Sequence, residues 1–152
     1  MPKEKKLTPS LEDYLEAILF LEKKNRVARV KDIAERLEVQ MPSVSGAVKT
    51  LKNRGMVNYE KNSFISLTEK GMSIAKSVQK KHSILTAFFR EVLLYSDSTA
   101  QDFACAVEHV IDSDAAERIR NLTLYTVDHG LQKYSESEWM DMLQGSDSPT
   151  QQ

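Results

Sequence analysis

The stretch from Val30 to Thr68 constrains the fold more than any other. Residues Val30-Lys31-Asp32-Ile33-Ala34-Glu35-Arg36-Leu37 have the spacing of a short helix with Ile33, Ala34 and Leu37 turned inward, and Glu38-Val39-Gln40 reads as a tight turn. A second helix opens near Met41-Pro42-Ser43, carries Val44, Val48 and Leu51 on one face, and runs to Arg54. Gly55 then supplies the residue that closes it. Met56 to Glu60 and Phe64 to Thr68 alternate apolar and polar residues on either side of Lys61-Asn62-Ser63, which is the pattern of a β-hairpin. A short helix, a tight turn, a second helix and a hairpin together spell a helix-turn-helix with a wing.

The second helix of that unit opens with small side chains. Ser43 and Ser45 let a helix N-terminus approach a groove closely, where hydroxyls and main-chain N–H groups meet phosphate oxygens. Lys49 and Lys52 extend the positive face; Gln40, Pro42 and the hairpin's Lys61 complete the candidate DNA-binding set. Charge supports the same partner. Residues 1–83 hold 17 Lys and Arg against 10 Asp and Glu, net +7, whereas residues 84–152 hold 4 against 12, net −8. The overall formal charge of −1 conceals this division, and only the first part suits a polyanion.

Before the motif, Thr8-Pro9 reads as a helix N-cap followed by proline in the first helical position. The helix it opens runs to about Lys24, with Leu11, Tyr14, Leu15, Ile18 and Leu19 as its apolar stripe. Asp13 and Glu16 fall on the other side, which by itself describes a solvated acidic face. After the hairpin, Thr68-Glu69-Lys70-Gly71 opens a long helix expected to reach about Leu94. Its second half concentrates Ile84, Leu85, Phe88, Phe89, Val92 and Leu93, a density that suggests self-association. A helix from Thr99 to about Ile111 and another from about Ser113 to Thr126, with Ala115, Ile119 and Leu122 inward, complete the expected core. A short amphipathic segment at Trp139, Met140 and Leu143 follows.

On the Thr99–Ile111 helix, Cys105, Glu108 and His109 share one face at about 100° per residue, opposite Phe103, Val107 and Val110. Thiolate, carboxylate and neutral imidazole are the side chains that bind first-row transition metals, and spacing of i, i+3 and i+4 lets one helix offer all three. The single cysteine rules out an internal disulfide. As residues, the three also fit ordinary packing and a surface pair, and Cys105 also fits a redox-responsive regulator.

Several segments resemble, in order and spacing, the diphtheria-toxin-repressor / manganese-transport-regulator family. They are Thr8 to Glu16, Ile33 to Leu37, Pro42-Ser43-Val44-Ser45, Leu67 to Gly71, Lys81-His82 and Cys105 to Val110, spread over roughly residues 8–125. The resemblance implies a homodimeric, metal-activated repressor. Carried over by position, it implies metal ligands at Asp13, Glu16, His82, Cys105, Glu108 and His109. Asp13 and Glu16 match the manganese type, His82, Glu108 and His109 both types, and Cys105 the iron type, where the manganese type has Glu. Oxygen ligands favour a hard ion such as Mn²⁺ and a thiolate favours softer ones, so this hybrid set implies Fe²⁺ or Mn²⁺, with Co²⁺, Ni²⁺ or Zn²⁺ as in vitro substitutes. Thr86 and Gln101 depart from the iron-type ancillary site. The family's iron-type SH3-like domain is not expected, and Gly46 stands where the iron-type recognition helix has Gln.

The expected fold is mainly α with a small β-hairpin wing: a winged helix-turn-helix over residues 1–71, a helical metal-binding and dimerisation domain over 72–144, and a disordered tail from 145 to 152. The expected partners are double-stranded DNA, through a palindromic operator, and a second copy of the chain, with no membrane and no small organic substrate. No apolar run reaches the roughly 18 residues that a membrane span needs, and a cytoplasmic location is expected. A metalloenzyme would use similar ligands, but it would also need an open coordination position beside a general base, so no catalysis is expected.

Overall fold

The computed structural model describes residues 6–60 and 62–146. Contacts divide the chain into two compact units, residues 1–79 and 80–152.

The first unit begins with α1 (Pro9–Asn25). The Thr8 side chain accepts the Leu11 N–H at 3.3 Å, and Pro9 takes the first turn, where a missing N–H leaves nothing unsatisfied. Tyr14, Leu15, Ala17, Ile18, Leu19 and Leu21 are all buried, a broader stripe than the sequence pattern marks. Helices α2 (Val30–Leu37) and α3 (Met41–Asn53) follow, joined through Glu38 in the left-handed conformation at φ 55°. Ile33, Ala34, Val44, Val48 and Leu51 meet α1's stripe in one core.

Strands β1 (Val57–Asn58) and β2 (Ser66–Leu67) pair antiparallel, Val57 opposite Leu67 and Asn58 opposite Ser66. Both are shorter than the alternation suggests. The sheet gains a third rung where Ala28 bridges Ile65, whose N–H donates to the Ala28 carbonyl at 2.8 Å. Two further links fix the wing: Glu22 of α1 accepts the Leu67 N–H at 3.0 Å, and the Lys52 ammonium of α3 donates to the Tyr59 carbonyl at 2.6 Å.

Helix α4 (Glu69–Ala87) contributes its first part to the first unit and its remainder to the second. The expected uninterrupted helix to Leu94 is not what forms. Residues Phe88–Val92 widen into a π-helical turn capped by Leu93, and Leu94 follows at φ 56°. Edge-to-face contacts occupy this corner, Phe88 with Phe89 at 5.7 Å, Phe89 with Phe103 at 5.5 Å and Tyr95 with Phe103 at 5.1 Å.

In the second unit α5 (Asp97–Val107), α6 (Ser113–Tyr125) and α7 (Glu136–Gln144) are each opened by a side-chain cap, from Ser96, Asp112 and Ser135. Helix α5 ends four residues earlier than expected, which puts Glu108 at its C-cap. The inward face of α6 also departs from the expected one. Ala116 and Thr123 are buried, Ala115 and Ile119 are half-buried, and Leu122 is 54% exposed. Thr123 tolerates burial because its hydroxyl donates to the Ile119 carbonyl at 2.8 Å. On the 84–93 run Ile84, Leu85 and Val92 are buried while Phe88, Phe89 and Leu93 are half-buried, and α6 adds exposed apolar side chains at Leu122, Leu124 and Tyr125. Lys61, residues 1–5 and residues 147–152 of the expected disordered tail lie outside the described residues.

Candidate metal centre and nucleic-acid interface

Three of the candidate ligands meet within the second unit. Glu108 is 1% exposed, and a carboxylate that far from water needs positive charge or strong donors beside it. His82 of α4 places Nδ1 2.6 Å from Glu108 Oε2, and His109 places Nε2 3.4 Å from Glu108 Oε1. A buried carboxylate is thus bracketed by two imidazoles. Lys81, beside His82, donates to the Ile111 carbonyl at 3.3 Å and so ties α4 to the turn that follows Glu108 and His109. Lys80 pairs with Glu117 of α6, and its hydrogen bond holds that exposed carboxyl below the usual range.

The burial of α5 and its C-terminal turn departs from the expected pattern at particular residues. Glu108 lies inside, while Phe103 and Val110, on the expected apolar face, are 40% and 73% exposed. The buried side of the helix is lined by Ala100 and Ala104, and the half-exposed Phe103 ring packs edge-to-face against Phe89 and Tyr95. Cys105, a turn earlier, is exposed. Asp13 and Glu16 sit one turn apart on α1 of the first unit, both half-buried rather than solvated.

The donor chemistry of Glu108, His82 and His109 suits a divalent ion. It offers one anionic oxygen and imidazole nitrogens a few ångströms apart, the ligand types that manganese, iron, cobalt and zinc accept. Spacing along α5 pointed to Glu108 and His109. No local pattern could associate them with His82, 26 residues away.

On the first unit, Gln40, Pro42, Ser43, Ser45, Lys49 and Lys52 are all exposed on or immediately before α3. The Ser45 hydroxyl donates to the Met41 carbonyl at 3.1 Å, which leaves its oxygen to accept. The Lys52 ammonium is engaged with the wing, and Lys61 lies outside the described residues. Unforeseen from sequence is an open groove of about 670 Å³ between α3 and the wing, lined in part by Arg29, Lys31, Ser45, Tyr59 and Phe64.

Comparison with known proteins agrees with this layout. Residues 6–64 match the family described as "Iron dependent repressor, N-terminal DNA binding domain", and residues 68–129 match "Iron dependent repressor, metal binding and dimerisation domain". An uncharacterized HTH-type transcriptional regulator of Methanocaldococcus jannaschii is 36% identical over 75% of this chain and 92% of its own. The HTH-type transcriptional regulator MntR of Shouchella clausii is 38% identical over 78% of this chain and 82% of its own. The solved structure of the manganese regulator SloR superposes with a TM-score of 0.69 at 32% identity, covering 78% of this chain, which spans about 55% of that one. The chain belongs to the iron-dependent repressor family of metal-dependent, DNA-binding transcriptional regulators.

Proposed function

We propose that this protein is a homodimeric repressor of metal-homeostasis genes in the cytoplasm, activated by Fe²⁺ or Mn²⁺. The observation that carries the reading is the buried Glu108 carboxylate between His82 and His109. The proposed ligands are these three with Cys105, Asp13 and Glu16. The proposed DNA-binding residues are Gln40, Pro42, Ser43, Ser45, Lys49, Lys52 and Lys61, within a domain ending near residue 71, and the proposed operator is palindromic. Among the described residues no helix is long and apolar enough to cross a membrane.

A divalent ion, when bound, supplies a positive charge and a fixed coordination geometry. Glu108 would hold the ion through an anionic oxygen, His82 and His109 through imidazole nitrogens, and Cys105 would add a softer donor. Asp13 and Glu16 would add hard oxygens from α1, and a set that includes them would link metal occupancy to the DNA-binding domain. If a single arrangement of the two α3 helices fits successive major grooves, metal shifts the population toward it. A coupling of about 1–3 kcal/mol changes DNA affinity roughly 5- to 150-fold.

Anaerobic selection of genomic fragments by the apo-protein, with Fe²⁺, with Mn²⁺ or with neither, tests the reading. Enrichment of a palindromic site only with metal is expected, and the stronger of the two metals is the effector. Equal enrichment without metal overturns metal activation and leaves a DNA-binding protein whose exposed Cys105 suits a redox response.

A further inference from the structure

We propose that Arg29, held over the ring of Phe64, is a contact to the DNA backbone, and that the groove between α3 and the wing receives the phosphodiester strand bordering the major groove. This rests on the DNA-binding reading above and adds residues that the α3 pattern does not contain.

The backbone fixes the pair. Ala28 and Ile65 are bridged and buried, at 0% and 1% exposure, and strand alternation turns their neighbours Arg29 and Phe64 outward together. The Arg29 guanidinium lies 5.1 Å from the centroid of Phe64, a ring that is 51% exposed. An exposed aromatic at the edge of a wing removes little apolar surface from water. What it does here is limit the motion of a cation, by an attraction of about 0.5–1 kcal/mol at such a site.

The surroundings identify the ligand class. The groove runs from Ser45 on α3 to Phe64 and Asn62 on the wing, with Arg29 and Lys31 from the start of α2 on its wall. None of its described lining residues is acidic. A helix with its side chains is about 10–12 Å across and the major groove about 12 Å wide, so a helix seated there fills it, and whatever flanks the helix meets the phosphate ridge. The wing and the α2 start flank α3 directly. Arg29 offers a planar fork of donors suited to phosphate, and stacking on Phe64 leaves the edge of that fork available.

The test uses the full-length, metal-loaded protein and two probes, a mixed-sequence duplex and the duplex recovered by the genomic selection, with affinity measured across a salt series. A phosphate contact carries no sequence information, so Arg29→Ala is expected to weaken both probes by a similar factor, roughly tenfold. The slope of log K against log salt is expected to become shallower by about 0.9 for each phosphate that the variant no longer neutralises. Phe64→Leu is expected to weaken binding less than Arg29→Ala, and Phe64→Tyr, which keeps the ring face, to restore it. Circular dichroism matching the wild type confirms that each exposed substitution leaves the fold intact. An unchanged salt slope in Arg29→Ala, or weakening confined to the selected duplex, overturns the assignment while leaving the DNA-binding reading standing. Wild-type protein that retains neither duplex overturns both.

Discussion

His82 Nδ1 lies 2.6 Å from Glu108 Oε2, and the carboxylate it meets is 1% exposed. The contact gives the buried charge a partner, and the same atoms are those a divalent ion would draw on. A ligand that binds only the folded state at about one hundred times its dissociation constant stabilises it by about 2.7 kcal/mol. For a chain of this size that is a rise in melting temperature of roughly 5–10 °C. Glu108→Gln keeps the shape but removes the anionic donor. Thermal unfolding with and without Mn²⁺, and anaerobically with Fe²⁺, is expected to show the rise in the wild type and none in the variant. A full rise in Glu108→Gln would remove that carboxylate from the ligand set.

Cys105 is exposed, unlike Glu108 one turn later. Cys105→Ser is therefore expected to change folding stability by no more than about 0.5 kcal/mol. Its effect should fall on metal preference, because a hydroxyl replaces the one soft donor of a proposed set otherwise made of oxygen and nitrogen. The ratio of Zn²⁺ or Co²⁺ affinity to Mn²⁺ affinity, measured by competition titration, is expected to fall at least tenfold. An unchanged ratio would mean that the thiol does not ligate, and loss of a peroxide response alone would favour the redox reading.

Gly71 tests how the wing is joined to α4. A helical Gly→Ala change ordinarily gains about 0.5–1 kcal/mol. Here a Cβ would fall on the Met56 carbonyl oxygen, with Leu67 Cδ2 3.3 Å away, and that carbonyl cannot retreat without breaking its bond from the Thr68 N–H. The sign reverses. Gly71→Ala is expected to cost about 1–3 kcal/mol in denaturant unfolding, in the range of overpacked cores. A stability gain would show that the wing moves aside easily.

These cases also show where sequence reading succeeds. The helix-turn-helix was legible because its determinants are local: proline in the first turn of α3, the Val44, Val48 and Leu51 face, and Gly55 at φ 70° just after the helix. The second half was less so. Periodicity marks which residues share a face, while the side that turns inward depends on partners distant in sequence. Glu108 lies inside against His82 and His109, and Leu122 is exposed while its neighbour Thr123 is buried with its hydroxyl bonded to the Ile119 carbonyl. Apolar residues on α6 look like core to any pattern that does not distinguish a buried face from an exposed one. Asp13 and Glu16 carried no local signal beyond an acidic face, and only the resemblance to a known family singled them out.

Gly46 lies in the interior of α3, and a Cβ there would have nothing within 4 Å. Gly46→Ala is expected to raise stability by about 0.5–1 kcal/mol through helix propensity alone. If α3 approaches the floor of a groove closely, the added methyl meets DNA instead of water. DNA affinity in the metal-loaded state is then expected to fall as stability rises. A variant that is both more stable and equally tight would place Gly46 away from the DNA.

Helix α7 offers a pH-dependent readout in the second unit. Its capping box has the Ser135 main-chain N–H and hydroxyl donating to the Glu138 carboxylate at 2.7 and 2.8 Å, and these bonds hold that carboxyl below its ordinary value of 4.5. A lowered carboxyl pKa means that the cap contributes fully above the unfolded value and loses its contribution as pH falls through the folded one. The only tryptophan, Trp139, follows Glu138 directly and donates its indole N–H to the Val92 carbonyl at 2.7 Å. Its fluorescence therefore reports whether α7 is docked. On acidification below about pH 4.5 the emission is expected to shift to the red before the far-ultraviolet helical signal collapses. Glu138→Gln keeps an acceptor for the cap but does not titrate, so this early shift should vanish, leaving only global acid unfolding. The same early shift in the variant would assign it to another acid.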